Sequence, residues 1–231
     1  MENKNPLISV IMSVWNDSKN VRTAIDSILG QSYKNFEFLI IDDGSTDSTY
    51  EILEEYKMRD SRIKIFKNEK NKGLTKSLNL LISYSNGDMI ARQDSDDISK
   101  KSRLETQLNC ITKNRFDICT SRALVKNTNK KIPGLSYYLP NKIAIKIKNP
   151  FIHGTLLIKK SIFTELDNYD EEFYYAQDYK LFWDILKKDY KIKKIREPLY
   201  YLNTANNIST NKSKEQKYYA DCVRNGLRPQ K

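Results

Sequence analysis

The chain has 231 residues, 39% of them hydrophobic, which suits one domain, or one domain with a lobed extension, around a buried core. No run approaches the roughly 18 apolar residues that cross a bilayer, and the N-terminus lacks a basic leader, so neither a membrane span nor a signal peptide is expected. Three cysteines, Cys110, Cys119 and Cys222, match neither zinc nor redox spacing and predict free thiols in a reducing cytosol. The formal charge of +11 suits an anionic partner: nucleic acid, a phospholipid surface or a phosphorylated small molecule. Its dispersal along the chain fits plain surface solvation equally well.

Residues 7–14 (LISVIMSV) form an apolar, β-branched run that reads as a buried strand. A helix is expected from about Asn20, with Val21, Ala24, Ile25, Ile28 and Leu29 on one face and Gly30 closing it. A second strand, 36–41 (FEFLII), breaks off at Asp42-Asp43-Gly44-Ser45-Thr46-Asp47, a turn leading into a helix over 49–59. Ser45 or Asp47 is the expected helix cap. A third strand at 62–67, a helix at 74–84 and a short strand at 88–92 follow, the last running into Asp94-Ser95-Asp96-Asp97. Strand–helix alternation of this kind predicts an α/β sheet with helices on both faces and its ligand beyond the carboxyl ends of the strands. Beyond Asn127 prolines and Gly134 loosen the pattern. A strand pair is expected around 153–159, a helix over 179–188 and a strand around 191–195. From Asn203 the Asn/Lys/Ser-rich tail reads as peripheral.

The strongest chemical signal is Asp94-x-Asp96-Asp97 after a strand. Alternate strand residues face one side, so Asp94 and Asp96 can converge on one hard cation, Mn²⁺ or Mg²⁺, whose shell substrate phosphates complete. An EF-hand would need a ligand at Ile98 and glycine at Ser99, and neither G-x-G-x-x-G nor a P-loop occurs, so phosphates would be held by metal and by Lys or Arg. Asp42 and Asp43 end a strand where a carboxylate can accept hydrogen bonds from a base or ribose. Asp178 precedes an amphipathic helix, where it reads either as an N-cap or as a general base.

Five segments in this order resemble glycosyltransferase family 2, inverting enzymes of the GT-A fold. They are SVIMSVWN, FLIIDDGSTDST, NKGLTKSLN, GDMIARQDSDD and YDEEFYYAQDYKLFWDI, within residues 9–185. The resemblance implies a Rossmann-like mixed sheet over residues 1–205, a nucleotide-sugar half (about 1–120), an acceptor half (about 121–205) and a basic tail (206–231). It implies donor contacts from Val14, Asn16, Asp42, Asp43, Lys76 and Asp94, metal ligation by Asp96 with Asp94, and Asp178 as catalytic base. His153, the sole histidine, lies where this family approaches the diphosphate, so a metal or phosphate contact is considered for it beside a structural role. Gln177 stands where the family commonly has Glu, and the Gln-x-x-Arg-Trp motif of processive synthases is absent. The implied activity is single transfer of a sugar, from a UDP-sugar, to a glycan or lipid-linked acceptor in surface-polysaccharide synthesis. Cytoplasmic residence, with peripheral contact at an anionic inner membrane, belongs to the same expectation. No nucleic acid is expected. The alternatives are a sugar nucleotidyltransferase, for which SVWNDSKN lacks the Gly- and Arg-rich loop, and a non-catalytic basic protein that binds RNA or membrane.

Overall fold

The computed structural model describes residues 5–204 and 212–230. Its first half is built from β1 (Ile8–Val14), β2 (Phe36–Asp42), β3 (Ile63–Lys67) and β4 (Met89–Arg92), linked through α1 (Val21–Leu29), α2 (Thr49–Arg59) and α3 (Leu74–Tyr84). These four strands pair in parallel. Such pairing needs crossovers, and each link carries a helix. Because β1 and β2 are covered on both faces, they read as continuous apolar runs. Ile8, Val10, Met12 and Val14 pack with α1, α2 and α4 (Arg103–Asn114) on one face, while Ile11, Leu39 and Ile41 meet α3 on the other.

After β5 (Ile98–Ser99) and α4 come β6 (Ile118–Val125), β7 (Lys131–Ile132), α5 (Asn141–Ile147), β8 (Leu157–Lys159) and α6 (Lys160–Leu166). The sequence closes with α7 (Gln177–Lys187), β9 (Ile192–Leu202) and α8 (Ser213–Asn225). Among the described residues the strands form one mixed sheet, ordered β3-β2-β1-β4-β8-β6-β9-β5, with β7 beside β6. β8 runs antiparallel to both β4 and β6. This insertion sets the turn before β8 against the carboxyl end of β4. The helix α7 packs under the second half, with Phe182 stacked on Phe151 at 4.4 Å between centroids.

Three expectations change. The strand pair at 153–159 is a 3₁₀ turn, His153–Thr155, followed by the single strand β8. The strand expected at 191–195 extends to Leu202, because residues 198–200 are buried against β6. The tail carries α8, a surface helix that lays Cys222 and Val223 against the α7 side of the core. Residues 205–211 of that tail lie outside the described residues. No helix among the described residues is long and apolar enough to cross a membrane.

At the sheet edge opposite the strand carboxyl ends, Glu37 accepts hydrogen bonds from Ser9 Oγ at 2.6 Å, Lys64 Nζ at 2.8 Å and Asn86 N at 2.6 Å. Burial pushes its carboxyl up, but these donors outweigh it and hold the group at about 2, against an ordinary 4.5. A depressed folded value gives stability that is complete above the ordinary value and lost as pH falls toward the folded one. Chemical denaturation is therefore expected to show stability dropping between pH 4.5 and about 2. Glu37→Gln should remove that part of the pH dependence.

Candidate active site

The turn after β1, the turn after β2 and the acidic turn after β4 meet at the carboxyl edge of the sheet. Asn16 adopts a left-handed backbone (φ 49°). Its amide donates to Ser45 Oγ at 2.9 Å, and its Oδ1 accepts the Thr46 amide at 2.7 Å. Ser45 is thus a tie between turns and not a helix cap. Asp47 is not the cap either: that position is Ser48, and Asp47 just before it accepts the Thr49 amide at 3.0 Å. Val14 O accepts the Asp43 amide at 2.8 Å, closing the register of β1 and β2.

The paired aspartates divide their work. Asp43 accepts three donors, Asn68 Nδ2 at 2.7 Å and the amides of Lys72 at 2.9 Å and Gly73 at 2.9 Å, and so organises loop 68–73. Asp42 is fully buried, and Oδ1 accepts only the Ser45 amide at 3.2 Å. Its Oδ2 is buried without a partner. A buried, unmatched acceptor is costly unless a ligand supplies a donor. Asp42 is therefore the member with an oxygen left for a ligand. Lys76 is exposed in the first turn of α3, directly after that loop.

Beneath the acidic turn lie two buried arginines. Arg92 Nη2 donates to Asp94 Oδ1 at 2.6 Å and Nη1 to the Gln93 carbonyl. Arg103, fully buried, donates to Gln93 Oε1 at 3.1 Å, Ser99 Oγ at 2.7 Å, Gly154 O at 3.0 Å and Arg92 O at 2.7 Å. Asp94, 30% exposed, donates its amide to the Tyr200 hydroxyl oxygen at 3.1 Å. Ser95 donates to Asp17 Oδ2 at 2.7 Å, which brings Asp17 to the cluster. Burial, then the charges of Asp94 and Asp17, push Asp96 up to about 6. Lys126 opposes that shift from the end of β6. Asp97 is pushed up by burial and by the other two carboxylates, and accepts the Asn203 amide at 2.6 Å. Asp97 thus pins the end of β9.

A cluster of like charges whose mutual repulsion a cation would relieve fits a hard divalent ion. Asp96 and the exposed part of Asp94 are the residues that would hold it. Among the described residues no three His, Cys, Asp or Glu side chains form a complete cage, so the remaining positions would fall to water or to oxygens of a substrate.

Asp178 lies in the first turn of α7 but does not cap it. The cap position is Ala176, left-handed at φ 53°. Burial pushes the Asp178 carboxyl up to about 6, against backbone N–H groups of the helix start and Asn149. Asn149 Nδ2 donates to Oδ2 at 2.8 Å. The charges of Asp94 and Asp178 both act on Tyr169, whose hydroxyl meets His153 Nε2 at 2.7 Å. Burial, then Arg92, hold His153 down to about 3, so its imidazole is neutral. Asp94, His153, Tyr169 and Asp178 thus share one pocket wall. Sequence reasoning did not single out Asp17, Arg103, Lys126, Asn149, Tyr169 or Tyr200. The available signals were an arginine ending the short apolar strand of residues 88–92, and a second arginine shortly after the acidic turn.

Gly154 fills the contact between these parts. An added Cβ would lie 2.6 Å from Asp94 Oδ2 and 2.6 Å from the Tyr200 hydroxyl. Gly154→Ala is expected to displace Asp94 and weaken Mn²⁺ binding in the presence of a nucleoside diphosphate, on the order of 10- to 100-fold as for shifts of supporting groups. Isothermal titration would read the loss, with circular dichroism unchanged. Asp42→Asn should weaken nucleotide binding about 10-fold or more by removing a charged acceptor. Asp43→Asn should instead make loop 68–73 more susceptible to proteolysis.

The profile of Glycosyl transferase family 2 matches residues 9–166. A putative glycosyltransferase, EpsE of Bacillus subtilis, is 37% identical over 170 residues, covering 72% of this chain but only 61% of EpsE. The Escherichia coli protein WfgD, named as a UDP-Glc:alpha-D-GlcNAc-diphosphoundecaprenol beta-1,3-glucosyltransferase, is 33% identical across 94% of this chain and 85% of its own. Two solved structures share the fold at low identity. TarS of S. aureus in complex with UDP has a TM-score of 0.74 at 22% identity, covering 94% of this chain and 64% of that one. The mannosyltransferase PcManGT of Pyrobaculum calidifontis, in complex with GDP-Man and Mn²⁺, has a TM-score of 0.74 at 15% identity, covering 97% and 66%. The fold is that of the GT-A glycosyltransferases, and the chain belongs to glycosyl transferase family 2.

Proposed function

We propose that the chain transfers a single sugar from a UDP-sugar to a hydroxyl of a glycan or lipid-linked saccharide in surface-polysaccharide synthesis, inverting the anomeric configuration. The observation that carries this reading is the half-buried carboxylate of Asp178, held by Asn149 on the wall it shares with Asp94. The choice of UDP and of a lipid-linked acceptor rests on likeness to WfgD, which spans nearly the whole chain. The acidic cluster and Mn²⁺ in PcManGT support a divalent ion here.

In this reading Asp42 meets the base through its open oxygen, and Val14 and Asn16 shape the rim beside it. Asp94 faces the ribose and the ion, and Asp96 ligates the ion. When bound, the divalent ion neutralises charge growing on the departing diphosphate. Lys126 and Lys76 are cations available to the phosphates, and neutral His153 can hydrogen-bond an oxygen there or simply orient Tyr169.

Asp178 accepts the proton of the acceptor hydroxyl as that oxygen forms its bond to the anomeric carbon. The bond from that carbon to the diphosphate oxygen breaks on the opposite face, and the nucleoside diphosphate leaves with the electron pair. A value near 6 makes Asp178 a better base than an ordinary carboxylate while leaving it mostly ionised at neutral pH.

Asp178→Asn is expected to lower transfer by about 100- to 10,000-fold, the scale of a lost general base, with UDP affinity unchanged. For the native chain, turnover should rise with pH through about 6 and level off above it, since the protonated carboxyl cannot accept. Near-native turnover in Asp178→Asn would sink the base assignment.

A further inference from the structure

Between Asp117 and Glu165 the chain carries no acidic side chain, while Lys126, Lys130, Lys131, Lys142, Lys146 and Lys148 all fall there. The fold brings part of this acid-free stretch beside a second run of basic residues, with Asp189 paired to Lys142 at its edge. Tyr137 donates to the Ile195 carbonyl, Lys194 Nζ to Leu139 O at 2.9 Å and Asn141 Nδ2 to Ile192 O at 3.0 Å. These bonds fasten the segment before α5 to β9 and add Lys193, Lys194 and Arg196 to the same surface. A groove of about 440 Å³ lies between them, walled by Tyr137, Tyr138, Leu139, Lys193 and Arg196.

The same surface is apolar where a soluble protein would be polar. Ala144 and Ile145 are the buried residues of α5, so Lys142, Ile143, Lys146 and Ile147 form its outer face. Ile143 is 53% and Ile147 64% exposed, and Leu135, 88% exposed, and Tyr138, 57% exposed, lie just ahead of the helix. Large aliphatic side chains alternating with lysine on one exposed face mark an interface with something both apolar and anionic.

We infer that this face, the outer side of α5 with the turn at Leu135–Tyr138, docks on an anionic phospholipid surface. The aliphatic tips enter the headgroup boundary, Tyr138 sits at that level, and the lysines meet lipid phosphates. A second copy of the chain fits less well, because a self-complementary contact here would set lysine against lysine. RNA fits less well because Leu135, Ile143 and Ile147 are aliphatic and offer no face for a base to stack on, leaving the ring of Tyr138 among them. The placement deepens the proposed lipid-linked acceptor, on which it rests for its purpose. α5 runs through Lys148 into Asn149, the partner of Asp178, and the Tyr179 hydroxyl of α7 donates to Ile145 O at 2.5 Å. A saccharide hanging from the bilayer would reach the base from that side.

The test is sedimentation of the full chain with vesicles of phosphatidylcholine alone and of phosphatidylcholine doped with phosphatidylglycerol. Binding is expected only to the doped vesicles and should weaken as salt rises. Ile143→Asn with Ile147→Asn should reduce it by about 10-fold or more, and Lys146→Gln and Lys148→Gln by about 5-fold each. UDP affinity, measured without vesicles, should be native in every variant, which separates a failure of docking from a failure of the transferase reading. Absence of phosphatidylglycerol-dependent binding, or undiminished binding of the variants, would overturn the proposal. So would a native monomer–dimer equilibrium abolished by the isoleucine changes, or RNA binding that these changes remove while lipid binding is missing.

Discussion

The buried guanidinium of Arg103 is the constraint on which the site depends. It joins the end of β4, the strand β5 and the Gly154 turn through four hydrogen bonds, and a fifth contact sets it 5.4 Å from the Tyr200 ring. Burial lowers its pKa to about 10, which leaves it charged at neutral pH. A positive charge without water must be matched, and here the matching comes from carbonyl and hydroxyl oxygens and from the field of Asp94 and Asp97. Arg92 adds a second positive charge next to Asp94. The carboxylates that would face a donor are thus supported from below by two arginines, which limits the cost of crowding them.

The crowding itself is graded. Asp97 is deepest and takes a structural bond from Asn203. Asp94 is anchored by one oxygen, and Asp96 is raised by burial and then by its charged neighbours. The different surroundings of Asp96, Asp94 and Asp97 therefore follow from position in one short turn. A similar division holds at Asp42 and Asp43, where adjacent carboxylates differ because one is saturated with donors and the other keeps an unmatched oxygen.

Much of the first half was legible in the sequence because its signals are local. The runs at β1 and β2 are apolar throughout, and the turns at their ends are polar, so strand, direction and ligand edge could be read together. The second half was less legible. β8 has three residues, its turn looks strand-like, and its placement depends on pairing with β4 and β6 rather than on any pattern of its own. Helix α8 hid in a segment whose composition is polar, since only Cys222 and Val223 are buried. The cap reading of Asp178 failed because a left-handed alanine takes that place. Arg103 was missed for a physical reason: a buried arginine carries no periodic signature, and no sequence pattern joins it to the carbonyls of Arg92 and Gly154, the side chains of Gln93 and Ser99 and the ring of Tyr200.

The antiparallel course of β8 also governs when the pocket can exist. Its turn supplies Gly154 against Asp94, and Thr155 and Leu156 bond to β6 and β4, although some sixty residues separate this turn from the acidic cluster. Loop closure over that span must be completed before the wall of the pocket is in place. The acidic turn of the first half is therefore walled only where the second half of the sheet stands beside it.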